Sequence, residues 1–364
     1  MTEASLRVLA LVTDAFGGHG GIAQYNRDFL SALAACEAVG DVTVLPRASA
    51  RLQERLPAGV RQLRPVKGRL AYSFAALRAA RARPIHVVFC GHLFMAPVAA
   101  IIAKSQHARL WVQVHGVEAW QELSGLHRRS VESAALVTSV SRYTRRRLLE
   151  WVAIDPDRVK VLPNTVDPRF QPGPKPGYLI ERHATRGRKV VMTVSRLAAS
   201  EQQKGQDRVI RTLPRVLLQY PETIYLIVGH GDDQPRLEAL AAEFGVTERV
   251  QFVGLVEPDE LPDYFRLADV FVMPSTCEGF GIAFLEAMAS GIPVIGGNKD
   301  GSLDPLSDGA SGTVVDPEDR EELASAICAA LRDTSAEIDG ANRFKPPAFA
   351  NHLQAIIQSN LLVS

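Results

Sequence analysis

Cysteines and long apolar runs are scarce in this 364-residue sequence. Its four cysteines, Cys36, Cys90, Cys277 and Cys328, form no CxxC pair, which argues against a zinc ribbon or a thioredoxin-type site. Scattered cysteines in a chain of this length predict reduced thiols in a cytosolic protein. The longest apolar window, residues 85–103, is interrupted by histidines, a proline and a glycine, so a buried strand, a turn and a buried helix fit it better than a membrane-spanning helix.

A large excess of either charge is also missing, because 41 Lys and Arg residues face 40 Asp and Glu residues. The balance hides an asymmetry: residues 1–166 carry 22 basic and 12 acidic side chains, whereas residues 167–364 carry 19 and 28. Halves of opposite charge predict two domains with different partners. The N-terminus shows no signal-peptide pattern, since Glu3 precedes an apolar run that is too short, so we expect a cytoplasmic protein.

A proline-rich stretch marks the boundary between the two halves. Residues 163–177 read PNTVDPRFQPGPKPG, with five prolines and two glycines, and such a stretch sustains neither a helix nor a central strand. We therefore expect one domain over 1–166, a second domain over 167–345, and a C-terminal helix over 346–364.

Short β-branched runs alternate with longer amphipathic runs on both sides of this linker. Strands are predicted at Leu6–Val12, Val42–Leu45, Ile85–Phe89, Leu110–Val114, Leu136–Val140, Val159–Leu162, Val190–Val194, Ile224–Val228, Val250–Val253, Val270–Met273 and Pro293–Ile295. Helices are predicted at Ile22–Ala35, Tyr143–Trp151, Gln206–Leu218, Ile282–Ala289 and Glu318–Leu331. Strands that are apolar on both faces and alternate with helices predict an α/β fold with two doubly wound, Rossmann-like parallel-sheet domains.

A glycine-rich loop follows the first predicted strand. Gly18, Gly20 and Ala23 fit the G-x-G-x-x-A form of the dinucleotide fingerprint, but the acidic residue that this fingerprint requires is missing from the end of the second strand. The pattern is also explained by backbone N–H groups that meet an anion or a sugar at a helix N-terminus, or by a tight turn without a ligand.

The most informative segment, EGFGIAFLEAMASGIPVI, begins at Glu278 and contains Glu286 eight residues later. A strand precedes Glu278, and two glycines lead into a helix whose first N–H groups are free. A sugar nucleotide suits this arrangement, because the N–H groups bind a diphosphate and each carboxylate accepts hydrogen bonds from hydroxyls.

The E-x7-E pattern of Glu278 and Glu286 resembles the signature of the retaining glycosyltransferases of family 4. GGHGGIAQYNRDFL resembles the family's N-terminal glycine loop, VHGVEAW its histidine loop, LPNTVD its interdomain linker, and VSRL with KGQDRVI its phosphate-binding pair. The resemblance covers nearly the whole chain and implies the GT-B fold, two Rossmann-like domains facing across a cleft. It also implies that the domain over 1–166 binds the acceptor, that the domain over 167–345 binds the nucleotide-sugar donor, and that the helix over 346–364 packs back on the N-terminal domain. The motifs look closest to bacterial mannosyltransferases that extend lipid-linked exopolysaccharide units of the xanthan and acetan type.

The resemblance implies catalytic roles for four residues. Arg196 and Lys204 neutralise the leaving nucleoside diphosphate, and Glu278 contacts the reacting face of the donor sugar. His115, at the end of a strand, also contacts that sugar. Seven residues separate Arg196 from Lys204, more than in many relatives, so we expect the reach of Lys204 to be the poorer of the two.

Further donor contacts are implied by the same motifs. Glu286 holds the ribose, and Leu255 borders the base. The remaining positions supply backbone or loop contacts: Gly20, Gly21, Phe280, Gly281 and Ile282. No Asp-x-Asp ends a predicted strand, so we expect no essential divalent metal and no cofactor beyond the donor substrate.

Ten basic residues between positions 47 and 83 accompany a single acid, Glu54, with Leu70, Tyr72, Phe74 and Leu77 interleaved. This pattern predicts a cationic, amphipathic surface that binds anionic lipid, and a second basic cluster lies at 142–147. Nucleic acid is the competing partner, but no recognised reader motif accompanies the charge. An arginine-rich solvated helix would also explain it.

The expected function is transfer of a hexose, with mannose from GDP-mannose favoured, to a lipid-linked or related glycan in bacterial polysaccharide synthesis, on the inner face of the plasma membrane. The alternatives are an epimerase, a glucosyl- or N-acetylhexosaminyltransferase that uses a UDP-sugar, and a non-catalytic nucleotide-sugar-binding protein.

Overall fold

The computed structural model describes residues 5–18, 20–48, 56–123, 125–332 and 339–362. The chain forms two compact units. Unit 1 comprises Met1–Thr165 together with Pro346–Ser364, and unit 2 comprises Val166–Lys345. The division falls within the proline-rich stretch, and the C-terminal helix belongs to unit 1.

Unit 1 contains a seven-stranded parallel sheet in the order β3-β2-β1-β4-β5-β6-β7. Its strands are β1 Leu6–Val12, β2 Val39–Pro46, β3 Val60–Gln62, β4 Val87–Cys90, β5 Arg109–Val114, β6 Leu136–Ser139 and β7 Val159–Val161. The helices of this unit are α1 Gly21–Ala34, α2 Arg69–Arg81, α3 Ala96–Gln106, α4 Leu126–Glu132, α5 Arg142–Leu149 and α12 Pro346–Leu361. The chain order reverses between β1 and β4, which is where open α/β sheets bind ligands.

An aromatic cluster fills the core of unit 1 next to β4 and β5. Phe29 of α1 stacks on Phe89 at 4.3 Å between ring centroids and meets Trp111 edge-on at 5.1 Å. All three side chains are fully buried. Such packing is costly to disrupt, because the surrounding side chains refill a cavity only in part.

Unit 2 contains a six-stranded parallel sheet in the order β10-β9-β8-β11-β12-β13. Its strands are β8 Val190–Val194, β9 Ile224–Val228, β10 Val250–Gly254, β11 Val270–Met273, β12 Val294–Gly297 and β13 Thr313–Val315. Its helices are α6 Gly177–Arg182, α7 Gln206–Gln219, α8 Gln234–Glu243, α9 Leu261–Leu267, α10 Ile282–Ala289 and α11 Arg320–Arg332. The order again reverses at adjacent strands, here β8 and β11.

The structure confirms the predicted fold class and every predicted strand, with shifts of a few residues at their ends. Sequence analysis missed β3 and β13, which are three residues each and lie at sheet edges. Runs this short give no alternating pattern to detect. Within the described residues, no helix has the length and apolar character needed to cross a membrane.

The basic segment is less amphipathic than its sequence suggested. Helix α2 exposes Leu70 and Phe74, which are 88% and 68% accessible. Tyr72, by contrast, is buried and donates its hydroxyl to the carbonyl of Leu45 at 2.8 Å. Leu77 packs against the core. The expectation that all four apolar residues form the outer surface is therefore wrong for two of them, and Arg51, Glu54 and Arg55 lie outside the described residues.

We expect Phe29→Ala to lower the free energy of unfolding of unit 1 by about 3–5 kcal/mol, because it empties the aromatic cluster. Phe74→Ala is the matched control, since it removes the same side chain from an exposed position of the same unit, and it should stay within about 0.5 kcal/mol of the wild type. Tryptophan fluorescence during urea unfolding measures unit 1 selectively, because the three tryptophans, Trp111, Trp120 and Trp151, lie there. Equal losses in the two variants would contradict the assignment of Phe29 to the core.

Candidate functional site

Three loops meet at the carboxyl edge of the sheet in unit 2, because β8, β11 and β12 are neighbours. The loop after β8 leads to Lys204, the loop after β11 carries Glu278, and the loop after β12 carries Asp300. The amide of Thr276 donates to the carbonyl of Gln203 at 3.0 Å, which joins the first two loops directly. Gly205 makes this approach possible: it has a φ of +90°, and a Cβ there would lie 2.5 Å from the carbonyl oxygen of Pro274.

Lys204 and Glu278 form a largely buried ion pair between the Nζ atom and the Oε2 atom. Burial alone would lower the pKa of Lys204, but the Glu278 carboxylate more than offsets this effect and raises it. The lysine is therefore charged at neutral pH. The insertion between Arg196 and Lys204 contains a 3-10 segment, Ala199–Lys204, and the side chain of Lys204 at its end reaches Glu278. The expectation that Lys204 reaches the donor less well than Arg196 stays a prediction.

Asp300 fixes the position of the Glu278 loop, and sequence analysis did not identify it. Its Oδ2 atom accepts hydrogen bonds at 2.7 Å from the hydroxyl of Ser275 and from the amide of Glu278. Its Oδ1 atom accepts from the amide of Ser302 at 2.9 Å. Burial raises the pKa of Asp300, and its hydrogen bonds oppose that effect. Asp300 lies 22 residues after Glu278, outside the recognised segment, and has no sequence pattern of its own, so only the structure reveals its contact with the Glu278 loop.

The N-terminus of α10 directly follows the Glu278 loop. Gly281 caps the helix with a φ of +87°, and a Cβ there would lie 2.5 Å from the ring of Phe284, so this position requires glycine. Phe280 is buried against Phe344, with 5.7 Å between ring centroids, and holds the loop in place. The amide of Phe284 donates to the carbonyl of Gly281 at 3.1 Å, whereas the amides of Ile282 and Ala283 precede the first hydrogen bond of the helix and favour an anion.

Glu286 lies one turn further along α10 and is only 7% exposed. Burial, with a smaller contribution from Asp167, raises its pKa to about 8, and Arg169 opposes the shift. None of the described residues donates a hydrogen bond to this carboxyl group. Its oxygens are not among the fully buried side-chain atoms that lack a partner, so solvent or a ligand can supply their hydrogen bonds.

The two other predicted donor residues of unit 2 are exposed. The Arg196 side chain is 75% accessible and pairs with Glu201, in the turn that ends at Lys204. Leu255 follows β10 and is 84% accessible. The structure therefore brings Lys204 and Glu278 into direct contact and leaves Arg196 on the rim of the same loop.

The glycine loop of unit 1 follows β1 and leads into α1, as predicted. Gly20 precedes the helix with a φ of +89°, and Gly21 is its first residue. Within this turn, Arg27 donates to the carbonyl of Gly18 at 2.8 Å, and Asn26 donates to the carbonyl of Asp14 at 2.7 Å. His19, in the middle of the loop, lies outside the described residues. A Cβ at Gly20 would meet nothing within 4 Å, so the backbone there is open to a ligand.

His115 lies at the end of β5 and is held in one orientation. Its Nε2 atom lies 2.9 Å from the carbonyl oxygen of Gly91 and is the donor, because a carbonyl can only accept. The ring also packs edge-on against Tyr25, with 5.0 Å between ring centroids. Tyr25 in turn donates its hydroxyl to Gln113 at 2.7 Å. Burial lowers the pKa of His115, while Glu118 opposes the shift. The imidazole is therefore neutral at pH 7, and its Nδ1 atom is a hydrogen-bond acceptor.

Metal-ligand clusters are not evident in the part of the chain that the structure describes, where no group of three His, Cys, Asp or Glu side chains could hold an ion. The carboxylates of the site instead have amide, hydroxyl or lysine partners, apart from Glu286. Lys204 is the cation that contacts Glu278 directly.

Two family matches divide the chain at the linker. Residues 19–170 match the family described as glycosyltransferase family 4, and residues 180–346 match the glycosyl transferases group 1. The second match contains Arg196, Lys204, Glu278 and Glu286, and the first contains His115.

Curated relatives include mannosyltransferases. A GDP-mannose-dependent α-(1-6)-phosphatidylinositol monomannoside mannosyltransferase of Mycolicibacterium smegmatis is 38% identical over 239 residues, which span 62% of this chain and 61% of that protein. The enzyme of the same name from Mycobacterium tuberculosis is 35% identical over 267 residues, or 68% of each protein. A D-inositol 3-phosphate glycosyltransferase of Nocardia farcinica is 34% identical over 196 residues, covering 52% of this chain and 43% of that protein.

Solved structures share the architecture of nearly the whole chain. HepE of Anabaena in complex with UDP superposes with a TM-score of 0.80 at 22% identity, covering 97% of this chain and all of HepE. Sucrose-phosphate synthase of Thermosynechococcus elongatus gives a TM-score of 0.77 at 24% identity, covering 97% and 98%. These likenesses concern the fold, which is the GT-B fold of two Rossmann-like domains. Together with the M. tuberculosis relative, the two family matches show that the chain belongs to glycosyltransferase family 4.

Proposed function

We propose that this protein transfers mannose from GDP-mannose to a hydroxyl of a lipid-linked glycan, with retention of the sugar's configuration. The observation that carries the proposal is the Lys204–Glu278 ion pair at the strand-order reversal of unit 2, beside the N-terminus of α10. The names of the mycobacterial relatives supply the choice of donor.

The donor's charged and polar groups each find a suitable partner in unit 2. The diphosphate takes the amides at the start of α10 and the ammonium group of Lys204, with Arg196 on the rim. The ribose hydroxyls take the Glu286 carboxyl group, which lacks a protein partner. Glu278 accepts hydroxyls of the transferred sugar, and Leu255 borders the base. Gly20, Gly21 and His115 of unit 1 are proposed to contact the donor sugar and its phosphates.

The proposed chemistry is a front-face displacement. The acceptor oxygen bonds to the anomeric carbon as the bond from that carbon to the diphosphate oxygen breaks, and the acceptor's proton moves to the departing diphosphate oxygen. The protein then positions the reactants and stabilises charge, with Lys204 neutralising the leaving group and Glu278 stabilising positive character at the sugar. No essential divalent metal is included in this proposal.

A membrane-bound acceptor is consistent with the surface of α2. Leu70 and Phe74 project from this helix beside the exposed Arg78 and Arg81. Apolar side chains flanked by cations favour the surface of an anionic bilayer. The two mycobacterial relatives are named for phosphatidylinositol monomannoside, and the Nocardia relative is named for D-inositol 3-phosphate. The sequence motifs favour exopolysaccharide intermediates of the xanthan and acetan type. We propose a lipid-linked acceptor and a peripheral location of this protein on the membrane that carries it.

Release of GDP from GDP-mannose, measured with and without a membrane extract as acceptor, tests the function. We expect turnover that persists in EDTA, because Lys204 and the helix N-terminus offset the diphosphate charge. Glu278→Gln should lower kcat by about 100-fold, because it removes the negative charge next to the reacting carbon. Glu243→Gln is the matched control, since that glutamate is exposed at the end of α8, and it should keep wild-type rates.

Several outcomes of this assay would contradict the proposal. UDP-glucose turned over faster than GDP-mannose would show a UDP-sugar enzyme, and interconversion of sugars without nucleotide release would show an epimerase. Full activity of Glu278→Gln would refute the assigned role, and loss of activity in EDTA that magnesium restores would refute the metal-free mechanism.

Glu286→Gln should change how stability depends on pH. Glu286 titrates near pH 4.5 when unfolded and near 8 when folded, so between these values the unfolded state loses a proton that the folded state keeps. The wild type should therefore lose stability relative to Glu286→Gln, by about 1.4 kcal/mol per pH unit from pH 5 to pH 8, and the difference should then level off. Calorimetric unfolding across this range measures it, and a difference independent of pH would show that Glu286 is ionised in the folded protein.

Membrane binding should depend on the outer face of α2. Arg78→Glu with Arg81→Glu should weaken binding to phosphatidylcholine vesicles that contain phosphatidylglycerol, and added salt should weaken wild-type binding. Arg83 is omitted, because it pairs with Asp41 at 3.4 Å. The double variant Arg332→Glu with Lys345→Glu in unit 2 is the charge-matched control, because both side chains are exposed and neither forms an ion pair with a described residue. Equal sedimentation of both double variants with the vesicles would show that α2 is a solvated face.

A further inference from the structure

His92 and Phe94 form a feature of unit 1 that the donor site does not use. They follow β4, one strand away from His115, on a 3-10 turn, Leu93–Met95. Leu93 and Met95 are buried and anchor the turn on both sides, which forces the Phe94 ring outward, where it is 56% exposed. Loops after neighbouring parallel strands share one edge of the sheet, so this turn and His115 lie side by side.

A hydrogen bond fixes the tautomer of the neutral His92 side chain. Its Nδ1 atom accepts a hydrogen bond from the amide of Phe94 at 3.3 Å, so in the neutral ring Nε2 carries the proton. Burial lowers the pKa of His92, which favours that neutral form, and Glu118 opposes the shift. None of the described residues accepts a hydrogen bond from Nε2. Capping the turn does not by itself require histidine, because Asn, Asp or Ser caps helical turns at least as well.

An aromatic surface adjoins this free donor. The Phe94 ring lies 5.0 Å from the ring of His92 and meets the ring of His127 edge-on at 6.2 Å, measured between centroids. The His92 ring is in turn 6.3 Å from that of His115. A flat apolar face beside a single directed N–H group complements a sugar or cyclitol, whose ring presents C–H bonds on its face and hydroxyl oxygens at its rim.

We propose that Phe94 and His92 form a subsite for a polyol ring of the acceptor, with the ring face on Phe94 and an acceptor oxygen bound by the Nε2–H group of His92. The inference rests on the proposed function, which assigns the transferred sugar to His115. The spacing between His92 and His115 is comparable to the width of one sugar ring, so a polyol on Phe94 would lie next to the sugar that it receives. This gives His92 and Phe94 a role in choosing the acceptor, separate from donor binding in unit 2.

Two substitutions separate this role from a structural one. His92→Asn keeps an oxygen that can accept from the amide of Phe94, but removes the Nε2–H group. Phe94→Leu keeps an apolar side chain on the turn, but removes the flat face. Ile101→Ala on α3 is the matched control, because it alters another exposed apolar side chain of the same unit.

The experiment uses the full chain and two soluble probes, myo-inositol and methyl α-D-mannopyranoside, with binding followed by saturation-transfer NMR and GDP binding followed by calorimetry. We expect at least one probe to bind the wild type and the Ile101→Ala variant alike. His92→Asn and Phe94→Leu should each weaken that binding by about fivefold or more, the net effect of one hydrogen bond or contact face, while melting temperatures stay close to the wild type.

The outcomes distinguish the subsite from the donor proposal. The subsite would be overturned if probe binding were unchanged in His92→Asn and Phe94→Leu, or if neither probe bound the wild type. Either result would hold whether or not GDP binds. Probe binding that both variants weaken would support the subsite even if GDP failed to bind, and that failure would count against the donor proposal alone. An equal loss of probe binding in Ile101→Ala and Phe94→Leu would also overturn the subsite, since the loss would then reflect the removal of any exposed apolar side chain.

Discussion

The geometry of the proposed donor site depends on a buried carboxylate, that of Asp300. Its two oxygens accept from Ser275, from the amide of Glu278 and from the amide of Ser302, and so tie together the loops that follow β11 and β12. Because the backbone of Glu278 is fixed in this way, its side chain reaches Lys204 from a defined direction. Positioning of this kind has to be complete before the donor arrives, since preorganised charge is what lowers a barrier.

Charge compensation is the second constraint on this edge of the sheet. The charge of Glu278 adds to the effect of burial in raising the pKa of Asp300, and Lys204 is the cation in direct contact with Glu278. An incoming diphosphate must therefore share Lys204 with Glu278 or draw it away. Either event changes the field at Glu278 as the donor binds, which links occupation of the phosphate site to the state of the carboxylate beside the reacting sugar.

Sequence patterns were sufficient for the architecture and for the residues within motifs. The central strands were predicted because apolar β-branched runs are long there, whereas β3 and β13 are edge strands of three residues that leave no periodic signal. Glu278 and Lys204 became candidates through their resemblance to family motifs, but their contact could not be predicted, because it depends on the 3-10 segment that the intervening insertion forms. Asp300 was missed, and His92 had no support from the sequence, because the hydrogen bonds that each side chain accepts from backbone amides leave no pattern in the sequence.

The cost of ionising the buried carboxyl group of Glu286 supports a role for this residue in ligand binding. A carboxyl group that is almost fully buried and has no hydrogen-bond donor among the described residues destabilises the fold whenever it ionises, and an alanine or leucine on α10 would avoid that cost. Asp300 is buried to a similar degree, yet it is fully engaged by amides and a hydroxyl and so is explained by the fold. The contrast separates a structural carboxylate from one whose partners must come from outside the chain. Ribose hydroxyls would supply those partners, and the neutral form of Glu286 near pH 7 could donate to one hydroxyl while accepting from the other.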